Sequence, residues 1–260
     1  MTDRARSGNP LWMAYEILAM IIGLGSLAII CLGWMPFAML LKPLLPRHVG
    51  QPLGRRMIAG GFRCYLAILK TFCACRFDLS ELDALRDSGP LIIAANHPSL
   101  LDAVMITSRL PNAVCVMKAS LMDNLLFGAA ARLARYIRND APLDMILSSR
   151  DALAEGAHLV IFPEGTRTSD FPLDRCMPTT GLIAGRSRVP VQTLLIEFST
   201  PYLGKAWPLF RRPVLPLRCR IRLGRRFAPP ANVQAFTAEL EAYFRAELGE
   251  HGVSPAPSTA

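Results

Sequence analysis

The sequence predicts an α/β protein, a largely parallel mixed sheet flanked by helices, preceded by an N-terminal membrane-anchoring helical segment. Three observations predict it. Beyond residue 76, short apolar runs alternate with helical stretches, the pattern of strands buried between crossover helices. From Ile17 to Leu41 no residue is charged, a run longer than the roughly 20 residues that cross a bilayer. The 260 residues are 52% hydrophobic and 19% charged, which excludes a disordered chain and is enough for a sizeable core. The net charge of +9 on so apolar a chain suits an anionic membrane surface. Nucleic acid as a partner fits the charge but not the hydropathy.

Residues 1–50 read as the anchor helix. Its apolar run is too long for a signal peptide. Trp12, Tyr15 and Trp34 fall near its ends, where aromatic belts sit, and Pro36 is expected to kink its end or turn the chain along the interface. Lys42, Arg47, Arg55, Arg56 and Arg63 follow the run, against Arg4 and Arg6 before it; this asymmetry places the main domain in the cytoplasm. A spanning helix and a re-entrant hairpin both satisfy it. Residues 51–76 read as an interfacial helix and linker, with basic ends over 55–76.

Residues 77–250 form the main domain. Leu91–Ala95, Ala113–Met117, His158–Phe162 and Val191–Phe198 are expected strands; Pro98–Arg109, Leu121–Arg135 and Leu143–Glu155 are expected helices. Residues 251–260 have the composition of a disordered tail. The seven scattered cysteines fit neither a disulfide framework nor a zinc site, and no metal is expected.

Polar residues follow these strands directly: Asn96 and His97 after the first, Lys118 after the second, Pro163–Thr168 after the third. Ligand sites of open α/β sheets gather at the carboxyl ends of strands. In Asn96-His97-Pro98-Ser99-Leu100-Leu101-Asp102, Pro98 suits a first helical turn and leaves His97 in the loop, free to fold back on Asp102. A carboxylate on Nδ1 fixes the tautomer and leaves Nε2 as a base. No G-x-S-x-G nucleophile elbow occurs in the sequence, so the base acts on a hydroxyl that the substrate brings. In Phe162-Pro163-Glu164-Gly165-Thr166-Arg167-Thr168, Gly165 permits close backbone approach, and turn amides with Arg167 can hold an anion.

These segments resemble the motifs of the lysophospholipid and glycerol-phosphate acyltransferases. NHPSLLD is similar to the family's Asn-His-x4-Asp, and FPEGTRT to its Phe-Pro-Glu-Gly-Thr-Arg-Ser. Val189-Pro190-Val191 resembles a further motif, and Tyr136-Ile137-Arg138 resembles another loosely; order and spacing agree over about residues 75–230. The resemblance implies the glycerol-phosphate acyltransferase fold and a catalytic domain at 77–250. It implies acyl transfer from acyl-CoA or acyl carrier protein to the hydroxyl of a lysophospholipid such as 1-acyl-glycerol-3-phosphate. His97 would be the general base and Asp102 its orienting partner. Asn96, Glu164, Gly165, Thr166, Arg167 and Arg138 would bind substrate, Pro190 would shape the acceptor or acyl site, and Lys118 would add positive charge. No cofactor is implied beyond the thioester co-substrate, and the partners are membrane lipid and the acyl carrier.

Three departures stand out. Thr168 replaces Ser and keeps a hydroxyl, no residue separates Ile137 from Arg138, and Cys176–Gly181 carries no Lys. They leave other acceptors open, such as a lyso-ornithine or polyene lipid. A catalytically silent lipid-binding protein and a thioesterase-like hydrolase are the rivals from other classes. His158 begins a strand away from the site and reads as structural; His48 and His251 fall in linker and tail. Lys205–Arg226 holds eight Lys/Arg and no acidic residue. Arg218, Arg220 and Arg222 alternate along one face of a strand, which suits an acidic acyl carrier protein, anionic headgroups or a charged sheet edge.

Overall fold

The structure, a computed structural model, describes residues 9–208 and 211–251. Arg4, Arg6 and residues 252–260 of the expected tail lie outside the described residues. Helix α1 (Pro10–Leu44) starts with Pro10 in its first turn and the Asn9 side chain accepting from Leu11 N–H, a standard N-cap. α1 is buried against the domain at two places. Glu16, Ala19, Met20 and Gly23 face the domain near its start. Farther along, Ala38 meets Ala129 and Leu133. The opposite face exposes Leu11, Ile21, Ile29 and Leu40. The helix is long and apolar enough to cross a membrane.

The chain does not turn away at Pro36: α1 runs through it to Leu44. Trp34, Met35 and Ala38 pack on the helix that carries Ala129, and this packing offsets the hydrogen bond that proline removes. Helix α2 (Arg47–Phe72) folds back along α1. Arg55, read from sequence as a membrane-side charge, is buried and donates to the Ala134 carbonyl and to Asn112 Oδ1.

Seven strands form one sheet where four runs were read as strands. They are β1 (Cys75–Asp78), β2 (Ile92–Ala95), β3 (Ala113–Met117), β4 (Ile137–Arg138), β5 (His158–Ile161), β6 (Val191–Phe198) and β7 (Leu217–Phe227), ordered β1-β7-β6-β2-β5-β3-β4. From β6 to β4 all neighbours are parallel, while β7 is antiparallel to β6 and β1 parallel to β7. Helices cover both faces. α1, α2 and α3 (Leu101–Arg109) lie over one. α6 (Pro142–Ala154), α7 (Thr179–Ser187) and α8 (Val233–His251) lie over the other.

Two helix boundaries differ from expectation for local polar reasons. α3 begins at Leu101, not Pro98, because Ser99 N–H is taken by Asp102 Oδ2 and Leu101 N–H by Ser99 Oγ; Pro98 sits in the turn before. The expected helix at 121–135 is split into α4 (Ala119–Met122) and α5 (Leu125–Ala134).

The topology places the site. The chain leaves β2 toward β3 and β4, returns to insert β5 beside β2, then crosses to β6 on the other side of β2. That reversal at β2 opens a crevice at the carboxyl ends of the strands, and His97 stands there.

Candidate active site

His97 and Asp102 meet as the sequence implied. His97 Nδ1 lies 2.8 Å from Asp102 Oδ2, and the same oxygen accepts Ser99 N–H at 2.8 Å. The Asp102 side chain is fully buried, while the imidazole keeps 16% of its surface exposed. Burial pushes the Asp102 carboxyl up from its ordinary value, against the pull of His97, the Ser99 amide and Arg167. The imidazole stacks on the Phe162 ring, centroids 3.8 Å apart and 12° from parallel. With Nδ1 engaged and one face covered, Nε2 is the nitrogen left to work.

Glu164 has a role that the sequence reading did not assign. Instead of binding substrate, its buried carboxylate is filled by the protein. Oε1 accepts His97 N–H (2.8 Å) and the Thr168 hydroxyl (3.0 Å); Oε2 accepts Asp174 N–H (2.9 Å). Thr168 N–H returns a bond to the His97 carbonyl at 2.8 Å. Glu164 thus straps the β5 loop to the backbone of His97. Desolvation raises its carboxyl above the ordinary range.

Asn96 is likewise engaged within the fold. Its side-chain amide donates to the Ile196 carbonyl and accepts Ile196 N–H, at 2.9 and 2.8 Å. It extends the β2–β6 ladder by one rung and holds the His97 loop against the sheet. Gly165 adopts φ +70° and closes a turn onto the Phe162 carbonyl; it and Thr166 are exposed. Arg167 directs Nη1 at the carbonyls of Leu203 (2.9 Å) and Gly204 (2.8 Å). The Leu203 carbonyl also accepts Leu100 N–H, so one oxygen joins the His97 and Arg167 loops.

Of the remaining expected residues, Lys118 and Arg138 stand at the carboxyl ends of β3 and β4, the edge of the sheet that also carries His97, and Pro190 does not. Pro190 precedes β6 and gives its carbonyl to Ile92 N–H, at the amino end of the sheet; parallel register pairs Ile92 with Val191 and Ala95 with Leu194. His97 is beyond the other end, so Pro190 does not shape that site. Arg138 lies at the end of the outer strand β4, ion-paired at 2.7 Å to both Asp123 and Asp140. Lys118 is exposed after β3, its carbonyl accepting Leu121 N–H as α4 begins. His158 is buried at the start of β5, and desolvation lowers its imidazole pKa, a structural placement. Of the arginine stripe, Arg220 pairs with Asp78 and Glu81, and Arg222 with Glu197, so two of its three charges are already neutralised.

Residues 76–197 match the Acyltransferase family. The matched residues include the site residues from Asn96 to Pro190. A 1-acyl-sn-glycerol-3-phosphate acyltransferase of Helicobacter pylori is 30% identical over 36% of this chain and 44% of its own length. The human 1-acyl-sn-glycerol-3-phosphate acyltransferase beta is 26% identical over 61% of this chain and 59% of its own. The chain thus matches about half the length of these relatives. A crystal structure of the 1-acyl-sn-glycerophosphate acyltransferase of Thermotoga maritima superposes with TM-score 0.69, covering 93% of this chain and 98% of that one at 15% identity. That likeness is one of fold.

Proposed function

We propose that the protein is a membrane-bound O-acyltransferase that moves a fatty acyl chain from a thioester to the free hydroxyl of 1-acyl-glycerol-3-phosphate or a close relative. The observation that carries this reading is the His97–Asp102 pair, with its carboxylate buried and its imidazole edge open. His97 Nε2 takes the proton of the acceptor hydroxyl as that oxygen attacks the thioester carbonyl. The tetrahedral intermediate collapses, the C–S bond breaks, and the thiolate recovers the proton from His97. Asp102 stabilises the imidazolium between the two transfers. The Nε and Nη2 edge of Arg167 is suited to two parallel hydrogen bonds with the acceptor's phosphate.

An apolar cavity of about 490 Å³ between α1, α2 and the end of β3, lined by Ile30, Trp34, Phe37, Phe62, Met117 and Tyr136, supports a lipid substrate. The two buried places of α1 support an in-plane anchor. Glu16 and Ala38 both face the domain, and they lie about 33 Å apart along a helix. A helix held at both ends of that span rests on the membrane with its opposite face inserted. The basic residues after the apolar run favour the cytoplasmic side.

Purified protein in detergent, given acyl-CoA or acyl carrier protein thioester with and without lysophosphatidate, tests the reaction. Thiol release should require the acceptor and should be lost in His97→Ala. Release without acceptor would reassign the protein as a thioesterase. Lipid binding without turnover would reassign it as a silent relative.

A further inference from the structure

We propose that Glu16, on the anchor helix, is a positioning residue for Arg167, so that the seating of α1 on the domain sets the anion-binding edge of the site. Glu16 is a buried carboxylate in a helix whose next charged residue is Lys42. Anchoring in lipid needs no such group, and burial of a charge demands partners. Its partners belong to the connection between β6 and β7. Oε2 lies 3.4 Å from Arg212 Nη1, and Oε1 accepts Leu215 N–H at 3.3 Å.

From there a continuous path of described contacts leads to the site. The Val214 carbonyl, adjacent to Leu215, accepts the Thr200 hydroxyl at 3.3 Å, which ties the β7 stem of the connection to its β6 stem. On that second stem Tyr202 is buried in the same core cluster as Ala19 and Met20 of α1. The next carbonyls, Leu203 and Gly204, hold Arg167 Nη1, and Leu203 also holds Leu100 N–H beside the His97 loop. Leu203 sits at φ +49° and Ala206 at +56°, a region that side-chain-bearing residues keep only when surrounding contacts impose it. Two carbonyls on one nitrogen of a planar guanidinium fix the direction of its other edge. What holds those carbonyls therefore aims Arg167.

The aiming role rests on the proposed reaction; the mechanical link does not, and one experiment separates them. In Glu16→Ala, the acceptor KM should rise about tenfold while kcat and the donor KM stay within about twofold. Glu16→Gln, which keeps an oxygen for Leu215 N–H, should recover most of the loss. In parallel, hydrogen exchange should quicken about tenfold at the Leu100 amide in Glu16→Ala but not at the Ile196 amide, which Asn96 holds. Thr200→Val, a side chain of the same shape without the linking hydroxyl, should move both readouts the same way by about threefold. It carries the test if Glu16→Ala does not fold. Unchanged KM and unchanged Leu100 exchange overturn the proposal. So does a uniform change in kcat, both KM values and all amides, the mark of general loosening. If the wild-type protein transfers no acyl group to lysophosphatidate, the proposed function fails, and the exchange measurement alone still decides the link.

Discussion

Replacing Asp102 by Asn would keep the shape of the His97 pair and remove only its charge. Asp102 Oδ2 accepts His97 Nδ1–H and Ser99 N–H, each at 2.8 Å, and an amide oxygen can occupy the same place. The fold should therefore persist. Burial already pushes the Asp102 carboxyl up, and a neutral side chain does not carry that desolvation cost, so the melting temperature should hold or rise slightly. Catalysis should not persist. When His97 takes the acceptor's proton it becomes a cation beside Asp102. Two unit charges ~4 Å apart at an effective dielectric of ~20 attract by ~4 kcal/mol. Without that attraction the barrier rises by the same amount, a factor of about 10³ in kcat. The assay is transfer of labelled acyl chains from acyl-CoA to lysophosphatidate in detergent micelles, with thermal melting of the same preparation. An Asp102→Asn protein that melts normally and turns over within tenfold of wild type would refute the charge-pair mechanism.

Two further outcomes follow from the same geometry. Glu164→Gln must turn an NH₂ toward either Asp174 N–H or the His97 and Thr168 donors, so it should lower stability by about 2–3 kcal/mol in denaturant titrations. Its pH profile should differ as well. Because burial raises the Glu164 carboxyl, the native state holds that proton more tightly than the unfolded chain. Its contribution to stability is then full below the unfolded value and declines as pH rises through the raised one; the Gln variant should lack this slope. Burial pushes the Cys75, Cys115 and Cys176 thiols up to about 12, which leaves a thiolate fraction of about 10⁻⁴ at pH 8. Maleimide should thus label exposed Cys64 in the native protein and reach those three only after denaturation; rapid native labelling of any of the three would contradict the burial.

The legible parts of the fold were those with local signals. β2, β3, β5 and β6 are near-continuous apolar runs and were readable to within a residue. Strand β1, Cys75–Asp78, was missed because its alternation of buried and exposed residues is too short to separate from the end of a basic helix. β4 is two residues long, below any periodic signal. The start of α3 was misread because Pro98 announces a helix by propensity, while the Ser99 and Asp102 side chains, bonding the intervening amides, decide where it begins. Asn96 and Glu164 were found as important positions and misassigned in role. A polar residue beside a base looks the same in sequence whether it faces substrate or backbone, and only burial and partners separate the two.

What the sequence by itself determined is the chemistry available: a histidine with an aspartate five residues on, an arginine after a glycine turn, an apolar helix and an α/β rhythm. These depend on residue types at short separations, which the chain carries directly. What only the tertiary structure decided is which of them share a place. Parallel register puts Pro190 at the far end of the sheet from His97, two carboxylates hold Arg138 on the outer strand, and the Leu203 and Gly204 carbonyls direct Arg167. Backbone oxygens have no letter in a sequence. Long-range contacts such as Glu16 with Leu215 depend on how the whole chain packs, since a partner some two hundred residues away is chosen by the fold and not by its neighbours.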